Sequence, residues 1–282
     1  MKNMYDLKKY RPIHLDDLTR LGRNEDGGYV LSSRQIDKTE ILLSFGINDD
    51  WSFEADFLKR KEVKLYAFDK SVSYPFHVRK TIKYFFKSVF YTLLFRFKKV
   101  KKLIKIVYIT SDFKKFFKPS LNRFFIRKFL GHIDDETFIS FGTIFKEMLA
   151  FTPPTHTDNI KDLSVFIKMD IEKWEYSALP DIEPFIEKIN GLAVEFHELY
   201  IAQKRFEDVM ELLSKYFYIV HVHANNFGEL IHGSNLPEVL EITFINKALV
   251  ENAVLSSRSY PIEGIDFPNN SGKEDIKLDF VS

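Results

Sequence analysis

The 282-residue sequence predicts an α/β fold built on an open, mostly parallel sheet with an antiparallel last strand, helices on both faces and a basic helical insertion. Three observations predict it. Apolar runs of strand length alternate with amphipathic stretches of helical period along most of the chain. The runs FIKMD (166–170), LAVEFHE (192–198) and YIVHVHANN (218–226) each finish in acid, imidazole or amide groups, which an open α/β sheet would gather on one rim. The final apolar run, VLEITFIN (239–246), alternates as a half-exposed closing strand would.

Taken in order, the elements are these. Within an N-terminal extension (1–40), GRNEDGGYVL reads as the turn of a hairpin, with Gly27 and Gly28 supplying positive φ values. ILLSFG (41–46) is a strand, INDD a turn, and Trp51 to Arg60 an amphipathic helix. VKLYAFDKS (63–71) is a second strand; its Asp69 lies 23 residues beyond Gly46, a spacing that matches the ribose-binding acid of nucleotide folds. A basic aromatic insertion (76–130) follows, with room for a short strand at Ile104 to Thr110. Thr137 to Phe151 has helical spacing, and PPTHTDN breaks it before the carboxylate-bearing strand. Pro180 or Pro184 opens the next helix, Leu192 to Phe196 form a strand, and Ala202 to Tyr216 form a helix whose Phe206, Val209, Leu212 and Leu213 share one side. After Tyr218 to His223 comes a loop with Gly228 and Gly233, then the closing strand and a turn-rich surface tail (250–282). All of this belongs to one domain.

Composition narrows the chemistry. Without cysteine there is no thiol nucleophile, disulfide or zinc-thiolate site, so a metal would need Asp, Glu, His or Asn ligands. No signal peptide or spanning segment is apparent, which points to the cytoplasm. Net charge is +1, yet residues 77–130 hold sixteen Lys or Arg against one acid, Asp112, together with fourteen Phe and Tyr. Basic amphipathic helices follow from that pattern. They serve as a solvated cover for the sheet or as a peripheral contact with anionic membrane at its inner face. Nucleic acid is the weaker reading, because no recognised motif accompanies the charge.

Residues two apart in a strand face the same side, so Glu195 with His197, and His221 with His223, form two pairs able to chelate. Asp170 and Glu172 close the first of the three runs. An oxygen and imidazole set without sulfur suits Mg²⁺, Mn²⁺ or Fe²⁺. Each feature also has a plainer structural account: Asp170 and Glu172 as helix-capping acids, Asp69 as a turn residue, the HVH histidines as core.

Taken together, GRNEDGGYVL, LLSFGINDDWSFE, YAFD, FIKMDIEKWEYSAL, AVEFHEL, HVHANNFG and PEVLEITF resemble the FkbM family of S-adenosylmethionine-dependent methyltransferases, which includes bacterial members acting on cell-surface sugars. The resemblance covers most of the chain outside the basic segment and implies a Rossmann-like methyltransferase sheet. It implies cofactor contacts at Gly46, Asn48, Asp50 and Asp69, catalytic roles for Asp170, His197 and His221, and a divalent cation held by Asp170, Glu195, His197 and His223. The implied activity is methyl transfer from S-adenosylmethionine to a sugar hydroxyl of a surface-glycan precursor. Two departures stand out: Asn48-Asp49-Asp50 replaces a second loop glycine, and Lys173 stands where many members have glycine. Two other readings share the fold, a non-catalytic module docking on membranes or glycan-assembly enzymes and a metal-dependent hydrolase.

Overall fold

A seven-stranded sheet organises the chain. The computed structural model describes residues 7–72, 82–83, 85–87, 109–118, 120–148, 163–231 and 236–280. Its strands are β3 (Ile41–Phe45), β4 (Lys64–Phe68), β5 (Arg123–Ile126), β8 (Val165–Met169), β9 (Ile189–Phe196), β10 (Phe217–Ala224) and β11 (Leu240–Asn246), in the order β5-β4-β3-β8-β9-β11-β10. All run parallel except β11, which is antiparallel to both of its neighbours. The chain moves outward from β3 through β4 and β5, then returns to β8 on the other side of β3. That reversal opens a crevice at the carboxyl ends of β3 and β8, as in other doubly wound, Rossmann-like sheets. β1 (Leu18–Leu21) and β2 (Tyr29–Ser32) form an antiparallel hairpin, and the two-residue strands β6 (Phe129–Leu130) and β7 (Phe138–Ile139) pair in parallel.

Every residue of β3, β8, β9 and β11 is buried, because both faces of the sheet are covered. Alternation sorts the side chains. One face presents Phe45, Ile167, Met169, Val194, Phe196 and Phe244 to a core shared with the helices after β8 and β9. Those are α4 (Glu175–Ala178), which runs directly into a 3₁₀ stretch Leu179–Lys188 opened by Pro180, and α5 (Leu199–Tyr216). Leu199, Ala202, Phe206, Val209 and Leu213 recur at three and four residues and bury one stripe of α5. Phe206 is fully enclosed and contributes about 1.5–3 kcal/mol of burial. The other face meets α1 (Ser33–Lys38), α2 (Ser52–Arg60) and the hairpin through Leu31, Phe53, Phe57 and Phe166. That second face also carries buried polar side chains, Lys168, Glu195, His221, His223 and Glu241.

Several expectations change. β5 lies inside the segment expected to be an insertion, so its end belongs to the main sheet. Ile109 and Thr110 open helix α3 (Ile109–Phe116) rather than finishing a strand, while 104–108 and most of the basic segment lie outside the described residues. Phe113, Phe116 and Phe117 pack against Trp51 at ring separations of 5.6–6.3 Å, giving part of the aromatic excess a core function. Of the expected Thr137 to Phe151 helix, the start is β7 and only Phe141 to Met148 is helical; 149–151, PPTHTDN and Gly233 lie outside the described residues. β11 is buried on both faces instead of half exposed, since it sits between two strands beneath the tail and hairpin. The tail itself is no surface strap: Tyr260, Leu278 and Phe280 enter the core. The N-terminal extension also joins the domain, with Leu7 and Tyr10 in the same core.

Candidate active site

Gly46 makes the crevice possible. Its φ is +79°, and a Cβ there would stand 1.6 Å from the Asp170 carbonyl oxygen, so only glycine lets the ends of β3 and β8 come this close. Two residues on, Asn48 takes φ +46°, a left-handed conformation that asparagine tolerates where a second glycine was expected. The Asn48 N–H donates to Asp69 Oδ2 at 2.8 Å, while Asp69 Oδ1 accepts from the Ser71 N–H at 2.8 Å and its hydroxyl at 2.6 Å. A carboxylate has about four acceptor positions, so Oδ2 keeps capacity toward the crevice. A cavity of about 570 Å³ opens there, lined by Gly46, Asn48, Asp69 and Ser71 on one side and Asp170, Glu172 and Trp174 on the other, with Phe45, Phe68, Phe129 and Phe138 as apolar wall. Asp50 does not line it. Its Oδ1 instead caps the Ser52 N–H at 2.9 Å, and its Oδ2 lies 3.3 Å from Arg23 Nε.

Beside the cavity, His197 gathers acids. Nε2 lies 3.7 Å from Asp170 Oδ1, 3.9 Å from Glu195 Oε1 and 4.0 Å from Glu172 Oε2. Asp170, Glu172 and His197 each offer a ligand atom within 4.8 Å of the others. The separations exceed hydrogen bonds and approach those between ligands of one octahedral ion, about 3.0–4.2 Å for bonds near 2.1 Å. His197 is fixed by α4: the Glu175 carboxylate accepts its backbone N–H at 2.7 Å, and the Tyr176 hydroxyl donates to its carbonyl. Burial opposes charging of the imidazole, but Glu175, Asp170 and Glu172 outweigh it and raise the pKa. Burial, with the charges of Asp170, Glu241 and Asp26, pushes the Glu195 carboxyl well above the usual range. Its Oε1 accepts from Asn225 Nδ2 at 2.7 Å and its Oε2 from the Tyr29 hydroxyl at 3.4 Å. The connecting turn is strained, with Glu172 at φ +52° and Lys173 at φ +86°, so Lys173 holds the conformation a glycine would take.

His221 and His223 do not join this cluster. His221 Nε2 lies 3.0 Å from Asp266 Oδ1, and His223 uses Nδ1 on Glu241 (3.2 Å) and Nε2 on Asp275 (3.1 Å). With both nitrogens engaged, His223 has no lone pair for a metal at Asp170. Burial disfavours its cation, yet the two carboxylates hold its pKa up to about 10. Asn269 bridges Asp26 and Glu241 nearby. Tail residues therefore close the half of the rim that the sequence assigned to the histidines.

No protein-family model matches the chain, and no curated protein does. Solved structures similar to parts of it include the fibrillarin pre-rRNA processing protein of Methanococcus jannaschii, at 10% identity over 75% of this chain and 68% of that one with a TM-score of 0.33. Precorrin-6y C5,15-methyltransferase from Geobacter metallireducens is 10% identical over 76% of this chain and 87% of its own, TM-score 0.34. An uncharacterized protein of Listeria monocytogenes is 12% identical over 81% and 72%, TM-score 0.32. At such distances the strand order of the chain itself defines its fold class.

Sequence reasoning missed Lys168, Glu175, Tyr29 and the tail acids. A lysine inside an apolar run, and a glutamate three residues past Glu172 at the start of a helix, were the signals available for the first two. Nothing local marks the tail acids, whose roles depend on the fold. A larger cavity, about 650 Å³ between Tyr10, Phe217 and the Lys204 side of α5, gathers ordinary surface charges away from the carboxylate rim.

Proposed function

We propose that the chain is an S-adenosylmethionine-dependent O-methyltransferase of FkbM type, acting on a sugar hydroxyl of a surface-glycan precursor. One observation carries the reading: the cavity at the switch point has Asp69 and the Gly46 loop on one wall and the Asp170–Glu172 turn on the other. A nucleoside held by the first wall would present its methyl group to an acceptor at the second. The apolar Phe45, Phe68 and Phe138 surfaces suit an adenine ring, and Asp69 suits a ribose diol.

Asp170, Glu172 and His197, with Glu195 behind them, fit a divalent cation by donor type and spacing. Such an ion would supply Lewis-acid polarisation of the acceptor hydroxyl, whose own acidity is too low for ready attack. The protein's part is alignment: α4 fixes His197, and the Gly46 contact fixes Asp170, because in-line displacement at a sulfonium depends on sub-ångström placement. His221 and His223 have no part in this scheme. Ile82, Phe85 and Phe86 are exposed beside Lys83 and Lys87, which supports peripheral contact with an anionic membrane where lipid-linked acceptors reside. No helix among the described residues is long and apolar enough to cross a membrane.

The test is transfer of labelled methyl groups from S-adenosylmethionine to nucleotide sugars and bacterial oligosaccharides, with and without Mn²⁺. Acceptor-dependent transfer that disappears in Asp170→Ala supports the assignment. Phosphoester turnover without methyl donor would assign the cluster to hydrolysis instead.

A further inference from the structure

Lys168 is the last but one residue of the central strand β8 and is 5% exposed, on the polar face beneath the hairpin. Burying an unpaired ammonium is strongly unfavourable, so its partners define what it does there. Nζ donates to the Gly46 carbonyl at 2.9 Å and lies 3.8 Å from Asp170 Oδ2, with the Tyr29 ring 5.6 Å away. Asp170 thus turns one oxygen to a fixed cation and the other to His197.

We infer that Lys168 is a positioning residue whose ammonium ties the Gly46 loop to the Asp170 carboxylate, setting the two walls of the cavity at one separation. The inference rests on the reading of that cavity as the methyl-donor site. The loop's other anchors lie on its own side, the Gly46 N–H on the Phe68 carbonyl and the Asn48 N–H on Asp69. Gly46 and Asn48 both take left-handed conformations, and the carbonyl between them is held to the far wall by this one side-chain hydrogen bond. Lys168 does not line the cavity itself, so it acts through Gly46 and Asp170 and not by touching a ligand. Nor is it placed to serve as a base: its Nζ donates to the Gly46 carbonyl and faces Asp170, behind the cavity lining.

The experiment compares the wild type with Glu54→Gln and with the double variant Lys168→Met/Glu54→Gln. The double variant removes one buried cation together with one buried anion, which protects folding. Affinities for S-adenosylmethionine and S-adenosylhomocysteine are measured by calorimetry, with urea unfolding alongside. A positioning role predicts that the double variant, relative to Glu54→Gln, loses affinity for both ligands by about tenfold, the worth of one charge-assisted hydrogen bond. A purely electrostatic role predicts a split between the two ligands, with the cationic sulfonium bound more tightly relative to the neutral thioether, and would overturn the inference. Unchanged affinities with lowered stability would overturn it too. Absence of binding in the wild type would sink the donor-site reading itself, a result distinct from either.

Discussion

Replacing Gly46 with alanine perturbs the closest approach in the site. Alanine at φ +79° costs about 1–2 kcal/mol for the left-handed conformation. The new Cβ, 1.6 Å from the Asp170 carbonyl oxygen, has to retreat by about 1.8–2.4 Å to reach ordinary contact, an overpacking strain of about 1–3 kcal/mol. The more restricted unfolded chain returns about 0.4–1 kcal/mol. The sum is a destabilisation of about 1–4.6 kcal/mol, read by urea unfolding, out of a total of about 5–15 kcal/mol for a domain. Displacing the loop also moves it from Asp170 and Lys168, so S-adenosylmethionine affinity should fall at least about tenfold. Asn48→Gly, which relaxes a left-handed residue with no added atom, is expected within about 0.5 kcal/mol of wild type. A Gly46→Ala protein as stable as wild type, with unchanged affinity for the methyl donor, would refute the reasoning.

Other outcomes follow from the same geometry. Asp69→Asn should weaken S-adenosylmethionine binding by about tenfold or more in calorimetry, since it alters both the Asn48 anchor and the proposed ribose contact. Glu175→Leu, which leaves the cavity wall intact but removes the acceptor of the His197 N–H, should raise the exposure of His197 to hydrogen exchange and weaken Mn²⁺ binding by about 10–100-fold, as loss of a ligand-orienting partner does. The folded His223 pKa of about 10 lies above the ordinary 6.5, so its stabilising contribution is complete below about pH 6.5 and is lost as pH rises through 10. Urea midpoints should therefore decline across that window, and His223→Gln should flatten the decline. Lys173→Gly should be neutral to mildly stabilising, because relief of φ +86° offsets the added chain entropy and the loss of a surface pair with Glu198.

The fold was legible wherever a local period carried it. β3, β4, β8, β9, β10 and α5 follow from apolar runs and helical spacing, and the gathering of acids after β8 and β9 follows from their ends. What failed was long-range. β11 alternates in sequence, yet the tail and hairpin bury its polar face, so Glu241 and Thr243 look solvent-bound to a local reading and are not. His221 and His223 share the chemistry of His197, but Asp266 and Asp275, more than forty residues later, claim them. The two glycine departures, by contrast, resolve in the backbone: Asn48 and Lys173 keep the left-handed turns without glycine.

The most direct test is diffraction from crystals soaked with S-adenosylhomocysteine and Mn²⁺. The account predicts a nucleoside with its ribose at Asp69 and an anomalous manganese peak among Asp170, Glu172 and His197. An empty cavity, or manganese seated at His221 and His223, would contradict it.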